Sequence, residues 1–243
     1  MPSPSLTLFA HVLSRPDAEL DLAQAALLIA EIEYPGIDVG RYIAMLDELG
    51  RRARRILAEP SDRPGIERVL RFLYEEVKFR GNSEDYYDPR NSYLNDVLER
   101  RTGIPITLAL VITEVCKRAG VEAQGVSFPG HFLVRSPAPN GLYVADPFAG
   151  HLMTQADLRN LLAKTTGNPR DPDARMLEGA TPRQILIRML SNLRGVYSNR
   201  GDKDRERDVL ARLFVLTPTD EVKRDLDTLG GERGIMSGSR ELN

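Results

Sequence analysis

A nearly continuous apolar run occupies Ile104 to Val115, where only three of the residues are polar. A run of this kind predicts a helix that packs on most of its sides rather than one that lies on the surface. Pro105 suits the first turn, where a helix leaves its N–H groups unpaired, and Gly120 suits a left-handed stop. The pattern therefore predicts a central helix from Pro105 to Ala119.

Apolar residues recur at helical spacing in three stretches before this run, residues 17–33, 38–59 and 62–77. Asp38 is the predicted N-cap of the second helix. The arginines within residues 51–55 fall on that amphipathic helix, so we interpret them as a solvated face rather than a binding patch. The first part of the chain is therefore predicted to be helical.

A polar loop with many turn-forming residues is predicted at 79–89, before a short helix at 93–101 for which Ser92 is the expected cap. The loop contains three acidic residues, Glu84, Asp85 and Asp88. They lack the regular ligand spacing and the closing glutamate of a calcium loop, so no metal site is predicted. We expect this loop to border a cleft.

The pattern changes to short alternating runs separated by turn residues between 124 and 146, which predicts a small antiparallel sheet. Alternation puts His131 on one face of a strand and Asp146 on one face of the next strand. Their separation of 15 residues suits two short strands joined by a loop, so we expect the two side chains to meet. The alternative interpretation of His131 is a structural histidine with satisfied hydrogen bonds.

The last third of the chain is predicted to be mainly helical. Thr154 opens a predicted capping box, and a linker rich in proline and glycine follows at 165–181. Helices are predicted over 182–230, and the end, 231–243, is predicted to be frayed. These boundaries give one domain at 1–164, which includes the N-terminal helices, and C-terminal helices that dock on it.

Composition narrows the functional classes only slightly. The chain has 33 Lys and Arg against 35 Asp and Glu, a net charge of −2, which favours neither nucleic acid nor a membrane surface as a partner. The single cysteine excludes an intramolecular disulfide and fits a reducing compartment. Neither a signal peptide nor a transmembrane run is recognised, so a cytoplasmic protein without a cofactor is expected. No oligomeric state is predicted.

Three motifs carry a family resemblance: Asp88-Pro-Arg-Asn-Ser-Tyr-Leu-Asn-Asp-Val-Leu98, Gly103-Ile-Pro105 and Phe128-Pro-Gly-His-Phe-Leu-Val134. Together they resemble the bacterial SirB-like proteins of the transglutaminase-like superfamily, over residues 20–230. The resemblance implies an α+β fold in which a helical N-terminal part precedes a papain-like core. That core would combine a central helix with a small antiparallel sheet, and a tetratricopeptide-like tail would follow it.

The superfamily core holds a Cys-His-Asp triad, and the resemblance places His131 and Asp146 at the last two positions. The nucleophile position falls on Pro105, which carries no nucleophile. Cys116 lies in the last turn of the predicted helix, where the helix dipole and apolar neighbours favour a neutral thiol. Thr107, one turn into the helix, is a weaker alternative nucleophile.

Two functional classes remain open. The favoured one is a non-catalytic transglutaminase-like protein with a degenerate triad, which binds another protein through its remnant cleft or its C-terminal helices as a structural or regulatory module. The alternative is a cysteine-type amidase, acyltransferase or protease-like enzyme that uses Cys116 or Thr107 with His131 and Asp146. The resemblance does not decide between them, because chemistry depends on the site rather than on the fold.

Overall fold

The computed structural model describes the backbone of residues 4–238 and the side chains of residues 4–230. The chain forms two compact units. We name Asp38–Ile185 the core unit, and the described parts of Met1–Ile37 and Leu186–Asn243 the helical unit. The sequence suggests domain boundaries at 164 and 182, which give domains that are each continuous along the chain. These boundaries stay a prediction.

The α-helices are α1 (Pro4–Leu13), α2 (Leu22–Ile29), α3 (Val39–Ala58), α4 (Gly65–Arg71), α5 (Leu94–Arg100), α6 (Pro105–Ala119), α7 (Gln155–Thr166), α8 (Pro182–Arg200), α9 (Lys203–Leu216) and α10 (Asp220–Gly238). Short 3₁₀ turns occupy Asp17–Glu19, Ala30–Ile32, Pro89–Asn91 and Ala174–Leu177, and a π-helical turn occupies Phe72–Glu76. The strands are β1 (Arg80–Gly81), β2 (Thr102–Gly103), β3 (Gln124–Val126), β4 (Leu133–Ala138), β5 (Gly141–Asp146) and β6 (His151–Met153). This mixture of helices with small sheets agrees with the predicted α+β class. Among the described helices, none combines the length and apolarity that crossing a membrane requires.

Helix α6 is the centre of the core unit, and it has the bounds that its apolar run predicts. It packs against α3, α4 and α5 and against strands β1 to β4. Pro105 occupies its first turn, and Gly120 ends it with a φ of +83°. A glycine suits this stop because residues with a Cβ rarely adopt positive φ. The prediction of a central, buried helix is confirmed.

Strands β3 to β6 form one antiparallel sheet whose strand order follows the chain. Between β4 and β5, Val134 pairs with Ala145. A cluster of buried apolar residues joins the sheet to α7: Val126, Phe128, Leu133, Val144, Leu158 and Leu162. The prediction of a small antiparallel sheet is confirmed, and α7 supplies part of its apolar cover.

The segment at 165–181, which the sequence marks as a linker, packs on the edge of this sheet. Gly179 forms a β-bridge with Val126 of β3. Two apolar side chains of the segment pack against the cluster, Met176 and Leu177. The proline and glycine residues therefore give the segment an irregular path, while its apolar residues belong to the core.

Two predicted helices are interrupted. Residues 17–33 form two 3₁₀ turns on either side of α2, because Asp21 accepts the Gln24 N–H at 2.9 Å and starts a new helix there. Residues 62–77 form α4 and then the π-helical turn that begins at Phe72. Apolar spacing alone predicts each stretch as one helix, so the single-helix predictions are wrong at these points.

Two predicted element ends also shift. The N-cap of α5 is Tyr93 rather than Ser92, so the predicted cap is wrong. Helix α10 continues past the predicted end at residue 230 to Gly238. The rest of the predicted frayed tail, 239–243, lies outside the described residues.

Arg205 of α9 connects three parts of the helical unit, in which α9 packs against α1 and α10. Its guanidinium forms a bidentate ion pair with Glu33, which follows the 3₁₀ turn Ala30–Ile32. It also donates to Asp202, the N-cap of its own helix, at 2.7 Å. Tyr197 of α8 donates to the same Glu33 carboxylate at 3.3 Å. A bidentate pair fixes geometry as well as charge, because the planar guanidinium matches both carboxylate oxygens.

Replacing this arginine tests the bidentate geometry. Arg205→Lys keeps the charge but loses the pair of guanidinium N–H groups that bind both Glu33 oxygens. The free energy of unfolding in urea is therefore expected to fall by about 1 kcal/mol. Arg207→Lys is the matched control, because Arg207 makes only longer contacts, 3.7 and 3.6 Å, with Asp204 and Asp208. Equal losses of unfolding free energy in the two variants would contradict a special role for the bidentate pair.

Candidate functional site

His131 and Asp146 are in direct contact. The distance from His131 Nε2 to Asp146 Oδ1 is 2.9 Å, and the two side chains are only 16% and 17% exposed. Asp146 is the last residue of β5, whereas His131 lies in the turn that precedes β4. The backbone N–H of His131 donates to the Phe128 carbonyl at 3.1 Å, and Gly130, which lies between these two residues, has a φ of +68°. The predicted contact is therefore confirmed, although a turn rather than a strand presents the imidazole.

Three N–H donors surround the Asp146 carboxylate. Besides the imidazole, the backbone N–H groups of Phe148 and Ala149 point at Oδ1, at 2.8 and 3.4 Å. Burial favours the neutral carboxyl, but the hydrogen bond and charge of His131, together with these two N–H groups, outweigh it and hold the pKa of Asp146 below its usual range. Asp146 is therefore ionised at neutral pH and orients the ring.

The second ring nitrogen of His131 has no hydrogen-bond partner within residues 4–230. Because the ionised carboxylate can only accept, we assign the proton of the neutral imidazole to Nε2. Nδ1 then carries the lone pair. A His-Asp pair in this form can act as a general base toward a group placed within about 3 Å of Nδ1.

Tyr74 supports the turn that follows Asp146. Its hydroxyl donates to the Pro147 carbonyl, and its ring lies against Gly150, where φ is +78° and no room remains for a Cβ. Burial and the nearby Asp146 charge raise the pKa of Tyr74, so it remains a neutral donor. Tyr74 belongs to the π-helical turn Phe72–Glu76, an element often found at functional positions. Local sequence patterns did not mark this residue.

The start of α6 is tied to the same turn through β1 and β2. Gly81 of β1 pairs with Gly103 of β2, two residues before Pro105. A Cβ on Gly81 would lie 2.5 Å from the Phe148 ring, so the strand and the turn are in close contact. Phe148 in turn donates its N–H to Asp146. A short series of contacts therefore connects the helix start with the His-Asp pair.

The first turn of α6 offers no available nucleophile. Pro105 is buried and carries no reactive group. Thr107 is fully buried, and its hydroxyl donates to the Asn91 carbonyl at 2.7 Å while it accepts the Ile104 N–H at 3.2 Å. Thr107 therefore completes the cap of the helix, and no hydrogen bond joins it to His131 among the described residues.

Cys116 lies at the other end of α6. It is fully buried, and this burial raises the pKa of its thiol to about 12. Its carbonyl accepts the Val121 N–H, and the neighbouring Glu122 carbonyl accepts the Ser136 hydroxyl at 2.6 Å. Ser136 is five residues beyond His131, a distance of roughly 16 Å along an extended strand. The residues that follow the C-terminal end of α6 are thus joined to β4 at a position well beyond His131.

Within the part of the chain that the structure describes, no group of three or more His, Cys, Asp or Glu residues could hold an ion. The acidic residues of the loop at 79–89 do not converge either, because Asp88 binds Arg90 and Arg100.

A family model described as the transglutaminase-like superfamily matches residues 40–191. This match includes α6, the antiparallel sheet and the His-Asp pair, and it covers more than half of the chain. The chain therefore belongs to the transglutaminase-like superfamily and, by the similarities given next, to the UPF0162 family.

A UPF0162 protein of Xylella fastidiosa, strain 9a5c, is 40% identical over 92% of this chain and 82% of its own length. A UPF0162 protein of Pseudomonas aeruginosa is 35% identical over 74% of this chain and 66% of its own length. A shorter similarity, 49% identity over 26% of this chain and 10% of the relative, is to F-box only protein 21 of Mus musculus. The similarity to the Xylella fastidiosa protein covers nearly the whole chain, whereas the F-box similarity is local.

The electrostatics of the His-Asp pair predict a specific titration. His131→Ala removes a donor that favours the ionised carboxylate, so the pKa of Asp146 is expected to rise in the variant, as measured by carboxyl ¹³C NMR. Asp157 is the control, because Thr154 rather than an imidazole is the main cause of its lowered pKa. An unchanged titration of Asp146 would show that the contact does not stabilise its charge.

The lowered pKa of Asp146 sets the sign of the pH dependence of stability. The folded pKa of Asp146 lies below the unfolded value of about 3.9, so its ionisation stabilises the fold above about pH 4. That contribution is lost as the pH falls through the folded pKa. Urea unfolding should therefore show a difference between wild type and His131→Ala that shrinks from about pH 5 to about pH 3.

Proposed function

We propose that this protein is a non-catalytic, SirB-like member of the transglutaminase-like superfamily that acts by binding another protein. The observation that carries the proposal is the position of its only thiol. Cys116 is buried in the last turn of α6 with its pKa raised to about 12, while the His-Asp pair is intact elsewhere. A thiolate nucleophile needs the opposite environment, a helix N-terminus and an adjacent base.

The first turn of α6 supports the same conclusion. Pro105 has no nucleophile, and the Thr107 hydroxyl is engaged with the backbone of Asn91 and Ile104. Activating Thr107 would first require breaking a buried hydrogen bond, which costs the desolvation of both partners. The His-Asp pair then serves to shape the remnant cleft rather than to activate a protein nucleophile.

The helical unit is the second part of the proposal, as a tetratricopeptide-like segment. Helices α8, α9 and α10 follow one another through short turns, with Gly201 at a φ of +68° in the first. Arg194 of α8 pairs with Asp225 of α10 at 2.5 Å, and α9 packs against α10. Such helical pairs commonly bind extended partners. The proposal includes a cytoplasmic location, since the one cysteine is a free thiol.

Alkylation of Cys116 tests whether the thiol is active. Native protein should react with iodoacetamide at pH 7 at least about 100-fold more slowly than urea-unfolded protein, because a neutral, buried thiol is a poor nucleophile. His131→Ala should leave the native rate unchanged. Rapid alkylation of the native protein that depends on His131 would favour the cysteine enzyme instead.

A restored thiol tests the assignment of the nucleophile position. In a Cys116→Ala background, Pro105→Cys places a single thiol in the first turn of α6, where the helix N-terminus favours the thiolate. Its alkylation at pH 7 is expected to exceed that of native Cys116 by about tenfold or more, and to fall when His131→Ala is added. If the added His131→Ala change has no effect, Pro105 does not correspond to the nucleophile position.

A further inference from the structure

The turn that follows Asp146 supplies two of the hydrogen bonds that its carboxylate accepts. Phe148 and Ala149 donate their backbone N–H groups to Oδ1, at 2.8 and 3.4 Å. The Gly150 N–H donates to the Asp146 carbonyl at 2.7 Å and closes the turn. A side chain that is held by hydrogen bonds keeps its orientation only while its donors stay in place. The contact between Asp146 and His131 therefore depends on the path of this turn.

Tyr74 contacts the turn at both of its ends. Its hydroxyl donates to the Pro147 carbonyl, and its ring lies so close to Gly150 that a Cβ there would overlap the ring. Pro147 is buried, and within residues 4–230 no other donor reaches its carbonyl. Loss of the hydroxyl would leave this carbonyl buried and unpaired, which favours a rearranged turn.

The position of Tyr74 depends on the π-helical turn Phe72–Glu76. In this turn the Val77 N–H donates to the Phe72 carbonyl, five residues earlier, at 3.0 Å. Phe72 is buried, and the Arg52 guanidinium lies 4.9 Å from the centre of its ring. π-Helical turns are rare and often occur at functional positions. The irregular turn thus presents Tyr74 from an anchored base.

Two titratable side chains interact with the Asp146 carboxylate. His131 bonds it directly, and burial together with the Asp146 charge raises the pKa of Tyr74. His151 pairs with Asp146 across β5 and β6, but its side chain is exposed, and no hydrogen bond joins the two side chains within residues 4–230. The Tyr74 hydroxyl therefore stays protonated and acts as a donor rather than as a base.

We propose that Tyr74 is a positioning residue for the His-Asp pair. Its hydroxyl and ring hold the turn at 147–150 in the form in which the Phe148 N–H bonds Asp146, so that the carboxylate faces His131 Nε2. This role is the same in a binding cleft and in an enzyme, so it does not depend on the proposed lack of catalysis.

Tyr74→Phe tests this role in the full chain, because it removes only the hydroxyl. We expect hydrogen exchange of the Phe148 and Gly150 amides, measured by NMR, to become at least about tenfold faster. The pKa of Asp146, measured by carboxyl ¹³C NMR, should rise, because a displaced Phe148 N–H no longer favours the charged form. The imidazole ¹⁵N shifts of His131 should show a smaller share of the Nε2–H tautomer.

A matched control separates positioning from the loss of any tyrosine hydroxyl. Tyr143→Phe removes a hydroxyl of β5 that has no hydrogen-bond partner within residues 4–230. Alternation places Tyr143 on the sheet face opposite Asp146, so this variant should change none of the three readouts. Exchange is compared with that of the Val134 amide, which lies between β3 and β5, so that a uniform loss of stability leaves the ratio unchanged.

An unchanged exchange ratio would overturn the proposal. Faster exchange with an unchanged pKa of Asp146 would also overturn it, because Tyr74 would then act on the turn but not on the pair. If Tyr74→Phe no longer folds, the hydroxyl serves the stability of the whole core unit, and the positioning role is rejected. Alkylation of Cys116 reports on the thiol separately, so the failure of either proposal is recognised independently of the other.

Discussion

The burial of α6 is the constraint on which the core unit depends. Twelve of its fifteen residues are buried. A helix without a solvated face must satisfy every polar group internally, so Glu114 pairs with Arg118 and the Thr107 hydroxyl bonds the backbone of Asn91. The same burial keeps Cys116 protonated. The burial that makes this helix the centre of the fold therefore also disfavours a thiolate at Cys116.

Asn91 connects the helix to the polar loop at 79–89. Its backbone carbonyl accepts the Thr107 hydroxyl, while its side chain holds the carbonyls of Asp85 and Tyr86. One fully buried residue thus fixes both the first turn of α6 and this loop. The His-Asp pair is fixed from the other side by Tyr74, through the Pro147 carbonyl. The first turn of α6, the loop and the His-Asp pair are thus each held by hydrogen bonds from buried or half-buried side chains.

Much of this architecture follows from local sequence. The bounds of α6, the left-handed Gly120 and the capping box of Thr154 and Asp157 are local features, and each was predicted and is present. The break in residues 17–33 was missed because Asp21 interrupts a continuous apolar pattern with a local hydrogen bond. The packing of 165–181 was missed because its proline and glycine residues are equally typical of a linker. Local patterns specify which backbone forms are allowed, but not what an irregular segment contacts.

The sequence by itself determined the helices, the antiparallel sheet and the meeting of His131 with Asp146, because these depend on periodicity, caps and a separation of only 15 residues. Tertiary structure decided what supports that pair. Tyr74 reaches the Pro147 carbonyl across 73 residues, and Gly81, in a strand of only two residues, lies directly against the Phe148 ring. Contacts at such separations arise from the packing of whole elements on α6. No periodicity or motif along the chain predicts these contacts, because the packing energy arises from the assembled core rather than from any one segment.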